Sequence, residues 1–156
     1  MYAKFCTMLG CKVLLLGLML GATAQAQRSN GDVGIGLQFG EPSGLSVGAY
    51  RSSGMSLDLL AAWDLDEFFY LNAHGLFTKR LGNDPEVDLF FGPGAFVGFF
   101  GEGQQDFDLR AGISGTAGLS LWIGPFEVYI RATPRLRLIE ETRAEIGGGL
   151  GMRWWF

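Results

Sequence analysis

The chain has 156 residues, with 12 lysines and arginines against 16 acidic residues and two cysteines, Cys6 and Cys11. An acidic balance of this kind excludes nucleic acid as a partner. Glycine is frequent, 25 of 156 residues, but it sits inside alternating segments rather than in a low-complexity tract, which argues against disorder.

At the amino end, Lys4 and Lys12 precede an uncharged run over residues 13–22, followed by Ala24-Gln25-Ala26. A charged region, a short apolar run and a small-x-small site make a secretory signal peptide. The run is too short for a membrane helix, which takes about 20 apolar residues. Cleavage is expected after Ala26, so residues 1–26 are the signal and residues 27–156 one domain. Cys11 precedes the apolar run instead of following it, so no lipid anchor is expected. Both cysteines and two lysines leave with the signal, which removes thiol chemistry and gives a net charge of 10 − 16 = −6.

Beyond a short polar lead, Val33, Ile35, Leu37 and Phe39 alternate with Gly34, Gly36, Gln38 and Gly40, and residues 41–44 hold turn formers. A period of two marks a strand. The second strand sets Leu45, Val47 and Ala49 against Ser46, Gly48 and Tyr50, and the third sets Leu57, Leu59, Ala61 and Trp63 against Ser56, Asp58, Leu60 and Ala62. Residues 57–63 also fit a helical turn or two. An acidic turn leads to a fourth strand, Phe69 to Thr78, with a turn expected over residues 79–86. A fifth strand follows from Val87 to Phe100, with Asp88 on its glycine-rich parity, then a polar connection over residues 101–106. The sixth strand sets Leu109, Ala111, Ile113 and Leu119 against Arg110, Gly112, Ser114 and Ser120, and Gly124-Pro125 is a two-residue turn. The seventh has Val128, Ile130, Ala132, Leu136 and Leu138 on one parity and Glu127, Tyr129, Arg131, Thr133, Arg135 and Arg137 on the other. In the eighth, Leu150, Met152, Trp154 and Phe156 face away from Glu145, Gly151, Arg153 and Trp155. Eight such segments joined by turns predict an all-β, antiparallel up-and-down barrel. Pro93 and Pro134 cannot donate to a ladder, which leaves a bulge or the end of a neighbouring strand open at each.

A soluble barrel turns its apolar parity inward. Here the charged parity is interleaved with glycine, as suits the crowded inside of a narrow barrel, while the apolar parity carries almost no charge. Outward aromatics, Phe39, Trp63, Phe69, Phe77, Phe99, Trp154 and Phe156, fall where interfacial girdles sit. A charge on the lipid face at mid-bilayer costs about 2–4 kcal/mol for Arg or Lys, so a one-residue slip of the seventh strand is strongly disfavoured.

On these residues the chain resembles the small eight-stranded outer-membrane proteins of the OmpA/OmpX kind. It is most similar to short bacterial barrels whose first hairpin reads close to GIGLQFGEPSGLS (residues 34–46). Their ends read close to PFEVYIRATPRLRL (125–138) and GGGLGMRWWF (147–156). The resemblance implies residence in a bacterial outer membrane. It also implies that Trp154 and the terminal Phe156 belong to the signal read by the barrel assembly machinery.

The inward parity gathers Asp58, Asp88, Arg110, Glu127, Arg131, Arg135, Arg137, Glu145 and Arg153. Unpaired charges in so narrow a space are costly, and Arg forks readily onto carboxylates. Arg131 or Arg135 with Glu145, on adjacent strands, is the first expected pair, and Gly34 and Gly36 leave room for Arg153. The expectation is a side-chain-filled monomer with a structural or surface-interaction role, in contact with outer-membrane lipids including lipopolysaccharide. A small pore is the alternative, and a lipid A-modifying enzyme comes behind it. His74 is the only histidine, and sequence alone places neither Ser114 nor Ser120 beside it, so no catalytic residue is expected. One histidine, no mature cysteine and no dedicated calcium-loop spacing lead to no expected metal or cofactor.

Overall fold

The computed structural model describes residues 29–64, 68–83, 86–101, 107–139 and 141–156. The expected signal peptide, and Asp66, Glu67, Glu102, Asp106 and Glu140 of the acidic connections, lie outside them. Eight strands follow in order: β1 (Val33–Glu41), β2 (Gly44–Ala49), β3 (Ser56–Asp64), β4 (Phe68–Asn83), β5 (Glu86–Gly101), β6 (Phe107–Ile123), β7 (Phe126–Arg137) and β8 (Arg143–Trp155). Each pairs antiparallel with the next, and β1 with β8, to close the barrel. Residues 57–63 are therefore strand, not helix.

The inward and outward parities fall as the alternation requires. Ile130 is 60% exposed and Ile146 73%, while Asp58 is 1% exposed and Arg131 5%. This inverts the soluble pattern, and apolar side chains on the outside with polar ones within are what a hydrocarbon solvent demands. Closure leaves no unpaired strand edge.

Two details correct the sequence reading. The expected turn over residues 79–86 is mostly strand: β4 runs on to Asn83 and β5 begins at Glu86, with a register shift between Arg80 and Gly82. Cross-strand charge holds this extension together, because Arg80 pairs with Glu86 and lies 3.6 Å from Asp88. Phe77 accordingly lies within β4, its ring 6.1 Å from that of Phe91, rather than at a strand end.

The prolines mark neither bulges nor strand ends. The β4–β5 ladder stops at His74 opposite Gly94 and resumes at Phe77 opposite Phe91 in unchanged register, so Pro93 is skipped on that edge while it pairs with Gly115 on the other. The β6–β7 ladder likewise skips from Ser114 opposite Arg135 to Ala117 opposite Ala132, and Pro134 pairs with Ile146. A residue without an N–H loses one edge of the ladder and keeps the other.

The seam between β1 and β8 depends on missing side chains. A Cβ on Gly36 would overlap the Met152 carbonyl oxygen, and one on Gly34 would overlap the indole of Trp155. Trp155 is buried there, with its ring 5.3 Å from Trp122 and edge-on to Tyr50.

Candidate functional site

The barrel's interior is the candidate site, and its charges separate into three levels. At the centre, β3 contributes Asp58, whose carboxylate receives Arg131 Nη1 from β7 at 2.6 Å and Arg153 Nη2 from β8. Arg153 also reaches Glu127 at 3.4 Å, and Trp155 Nε1 donates to the same Glu127 Oε2 at 3.0 Å. Arg131 Nε donates to Gln38 Oε1 at 2.5 Å, and Ser46 Oγ accepts from Arg153 Nε at 2.9 Å and from Tyr129 at 3.0 Å. The two guanidinium carbons lie 4.5 Å (Arg153) and 5.3 Å (Arg131) from the Tyr129 ring centroid. Every charge in this cluster is buried, so its partners replace water as the source of stabilisation.

Toward the end where the termini lie, Asp88 faces Arg80, a residue of β4 rather than of the expected turn. Toward the opposite end, Glu145 binds Arg137 at 2.5 Å and Arg135 at 4.0 Å, while Arg110 binds Asp108 at 2.7 Å. The expected pairing of Arg135 with Glu145 is thus the looser of two, and Arg131 crosses the lumen to Asp58 instead of joining Glu145. The reason is reach: Gly149 stands opposite Arg131 on β8 and offers no acceptor side chain. Gln38, Ser46 and Asn72 are uncharged members of the network. Each was visible as a polar residue on the glycine or charged parity.

The structure also brings Ser114 Oγ to 3.1 Å from His74 Nε2, while His74 Nδ1 lies 3.8 Å from Asp58 Oδ1. The residue types are those of a nucleophilic triad, and the geometry is not. The second distance exceeds a hydrogen bond, Asp58 is already engaged by two arginines, and Ser114 donates to Asn72 Oδ1 at 3.0 Å. Neither cavity at the end opposite the termini is lined by any of the three. A nucleophile needs a base and room for the reacting group. Among the described residues, no three His, Cys, Asp or Glu side chains gather to hold a metal ion.

The end opposite the termini opens into a cavity of about 670 Å3 lined in part by Tyr70 and Phe96, whose rings stack at 5.8 Å. Trp154 and Phe156 take their expected outward places at the other end, Trp154 edge-on to Phe126 at 4.4 Å.

An apolar exterior, a polar interior and a closed meander of eight strands define the class of small outer-membrane barrels. No protein-family model matches the chain, and neither does any curated protein. Among solved structures it is similar to the N-terminal β-barrel domain of Pseudomonas aeruginosa OprF. The TM-score is 0.60 at 13% identity, over 80% of this chain and 96% of that domain. It is also similar to Neisserial surface protein A, with a TM-score of 0.54 at 13% identity, over 80% of this chain and 94% of that one. The fold is therefore that of the small eight-stranded barrels expected from the sequence.

Proposed function

We propose that the protein is an integral, monomeric barrel of a bacterial outer membrane, closed to solutes by its own side chains, with a structural or surface-interaction role. The observation that carries this reading is the contact of Arg131 and Arg153 with Asp58 across the lumen. Eight strands give an interior that side chains can fill, and these long cations fill it at mid-height. The apolar exterior favours contact with membrane lipids, lipopolysaccharide included, and the outward Trp154 and Phe156 suit recognition by the barrel assembly machinery. With both termini on the periplasmic side, the ends of β3, β5 and β7 lie toward the cell exterior. No catalytic role is assigned.

The test is conductance of the purified monomer in planar bilayers. Little or no steady current is expected, and stable ion-selective channels would replace this reading with that of a pore. Recovery of the native protein as a soluble periplasmic species, rather than in carbonate-washed outer membranes, would contradict the membrane assignment.

A further inference from the structure

The outer-end cavity of about 670 Å3 falls within the range of about 300–1,000 Å3 that small-molecule sites occupy. One wall is aromatic, where Phe68 packs against the buried pair Tyr70 and Phe96. Arg110, Arg135 and Arg137 line the cavity as well, Arg135 with its guanidinium carbon 5.6 Å from the Tyr70 ring centroid. Between them the inward positions belong to glycine. Gly98 stands between Tyr70 and Arg110 in the ladder, and Gly112 between Phe96 and Arg137.

Two of these arginines keep a buried donor without an acceptor among the described residues, as Arg131 Nη2 does at the barrel centre. Arg135 has only 13% of its side chain exposed, yet its closest partners are Tyr70 Oη at 3.4 Å and Glu145 at 4.0 Å. Its Nε has no hydrogen-bond acceptor among the described residues, and neither does Arg137 Nε. A guanidinium carries five donors in a planar fork, and a dehydrated donor without an acceptor is costly. An oxyanion in the cavity meets those parts of Arg135 and Arg137 that line it, and guanidinium favours bidentate contact with such a group.

The number of charges on that anion is also limited. The adjoining cavity of about 720 Å3 shares these arginines and adds Arg143, Asp108 and Glu141. With Glu41 and Glu145, which line both cavities, four acids accompany four arginines among the described residues. A second negative charge on the ligand would meet those acids.

We propose that the outer-end cavity binds a small, singly charged amphipathic carboxylate. Its head group sits on Arg135 and Arg137, and its apolar body lies against Phe68, Tyr70 and Phe96. The site rests on the closed-barrel reading, because the ligand stops where Tyr70, Asn72 and Ser114 form a hydrogen-bonded floor.

The test is equilibrium dialysis of the full barrel in lipid nanodiscs, with empty nanodiscs subtracted, against 1-naphthoate, 1-naphthyl phosphate and the neutral 1-naphthalenemethanol. Naphthoate is expected to bind at least about tenfold more tightly than the alcohol and more tightly than the phosphate. Arg135→Gln is expected to remove that preference, while Arg80→Gln, near the opposite end, leaves it intact. If Arg135→Gln does not fold, the wild-type protein decides, since naphthoate must perturb the ring resonances of Tyr70 and Phe96 rather than those of the outward aromatics. Equal binding of naphthoate and alcohol, a preference that survives Arg135→Gln, or perturbation confined to outward rings overturns the site. Tighter binding of the phosphate overturns the single-charge assignment. A silent bilayer with no anion preference overturns this inference alone, and steady conductance overturns the closed-barrel reading together with it.

Discussion

Ser114 and His74 meet at 3.1 Å inside the barrel although 40 residues separate them in the chain. The contact joins β6 to β4 across the intervening β5, where Gly94 stands in register with both and has no side chain to interpose. Since Asp58 is held by arginines and Ser114 by Asn72, this histidine bridges polar layers. A fluorophosphonate probe is expected to leave Ser114 unlabelled in the folded barrel, and intact-mass analysis of the treated protein checks this. Labelling confined to Ser114 and lost in His74→Gln would make the serine a nucleophile.

Arg131→Met removes one of the two arginines from Asp58 and the donor to Gln38. Breaking a buried pair from one side costs roughly 3–5 kcal/mol, so urea unfolding in vesicles, followed by tryptophan fluorescence, should shift to markedly lower denaturant. Adding Asp58→Asn should cost less than the sum of the single changes, because the stranded charge is then gone. An unshifted midpoint for Arg131→Met would mean that the central cluster does not stabilise the barrel.

Gly36→Ala and Gly34→Ala probe the closing seam differently. The new methyl at residue 36 meets backbone of β8, which cannot swing aside, whereas at residue 34 it meets the Trp155 side chain. Overpacking costs typically about 1–3 kcal/mol, and residue 36 should lie at or above the top of that range. Heat-modifiability on unboiled gels reads closure directly. Similar yields of closed barrel for Gly36→Ala and wild type would be inconsistent with this seam.

At the carboxyl end, Phe156→Asp places a charge among outward aromatics, while Trp155→Phe keeps a buried ring and loses the bond to Glu127 with part of the packing over Gly34 and Gly48. Insertion into vesicles should be slowed strongly by the first and little by the second. Trp155→Asp is expected to fail for a separate reason, since it sets a second carboxylate beside Glu127. Equal insertion of Phe156→Asp and wild type would remove the terminal residue from the assembly signal.

Alternation made the strand count, the inward face and the closed order legible, most plainly in β7, where five apolar residues oppose Glu127, Tyr129 and three arginines. It could not reveal which inward residues touch, because parity assigns a side chain to the lumen and says nothing of depth or reach. Strand adjacency therefore offers Glu145 to Arg131 and Arg135 alike, whereas the Arg131 guanidinium spans the lumen to Asp58, 73 residues earlier. The β4–β5 extension was hidden for another reason. Gly82, Asn83 and Pro85 look like one long turn, and only the paired charges of Arg80, Glu86 and Asp88 show that the ladder continues.

The bonds that cross the lumen have a consequence for the order of biogenesis. Arg131, Tyr129 and Arg153 tie the seventh and eighth strands to Gln38, Ser46 and Asp58, over separations of 73 to 107 residues. The strands made first thus carry a carboxylate whose counter-charges are made last. A nascent chain ending after β6 has no arginine for Asp58, so hydrocarbon is a hostile place for it to wait, and stable partial insertion is not expected. The last hairpin both supplies the counter-charges of Asp58 and closes the seam with β1, so the interior is neutral only when all eight strands are in place.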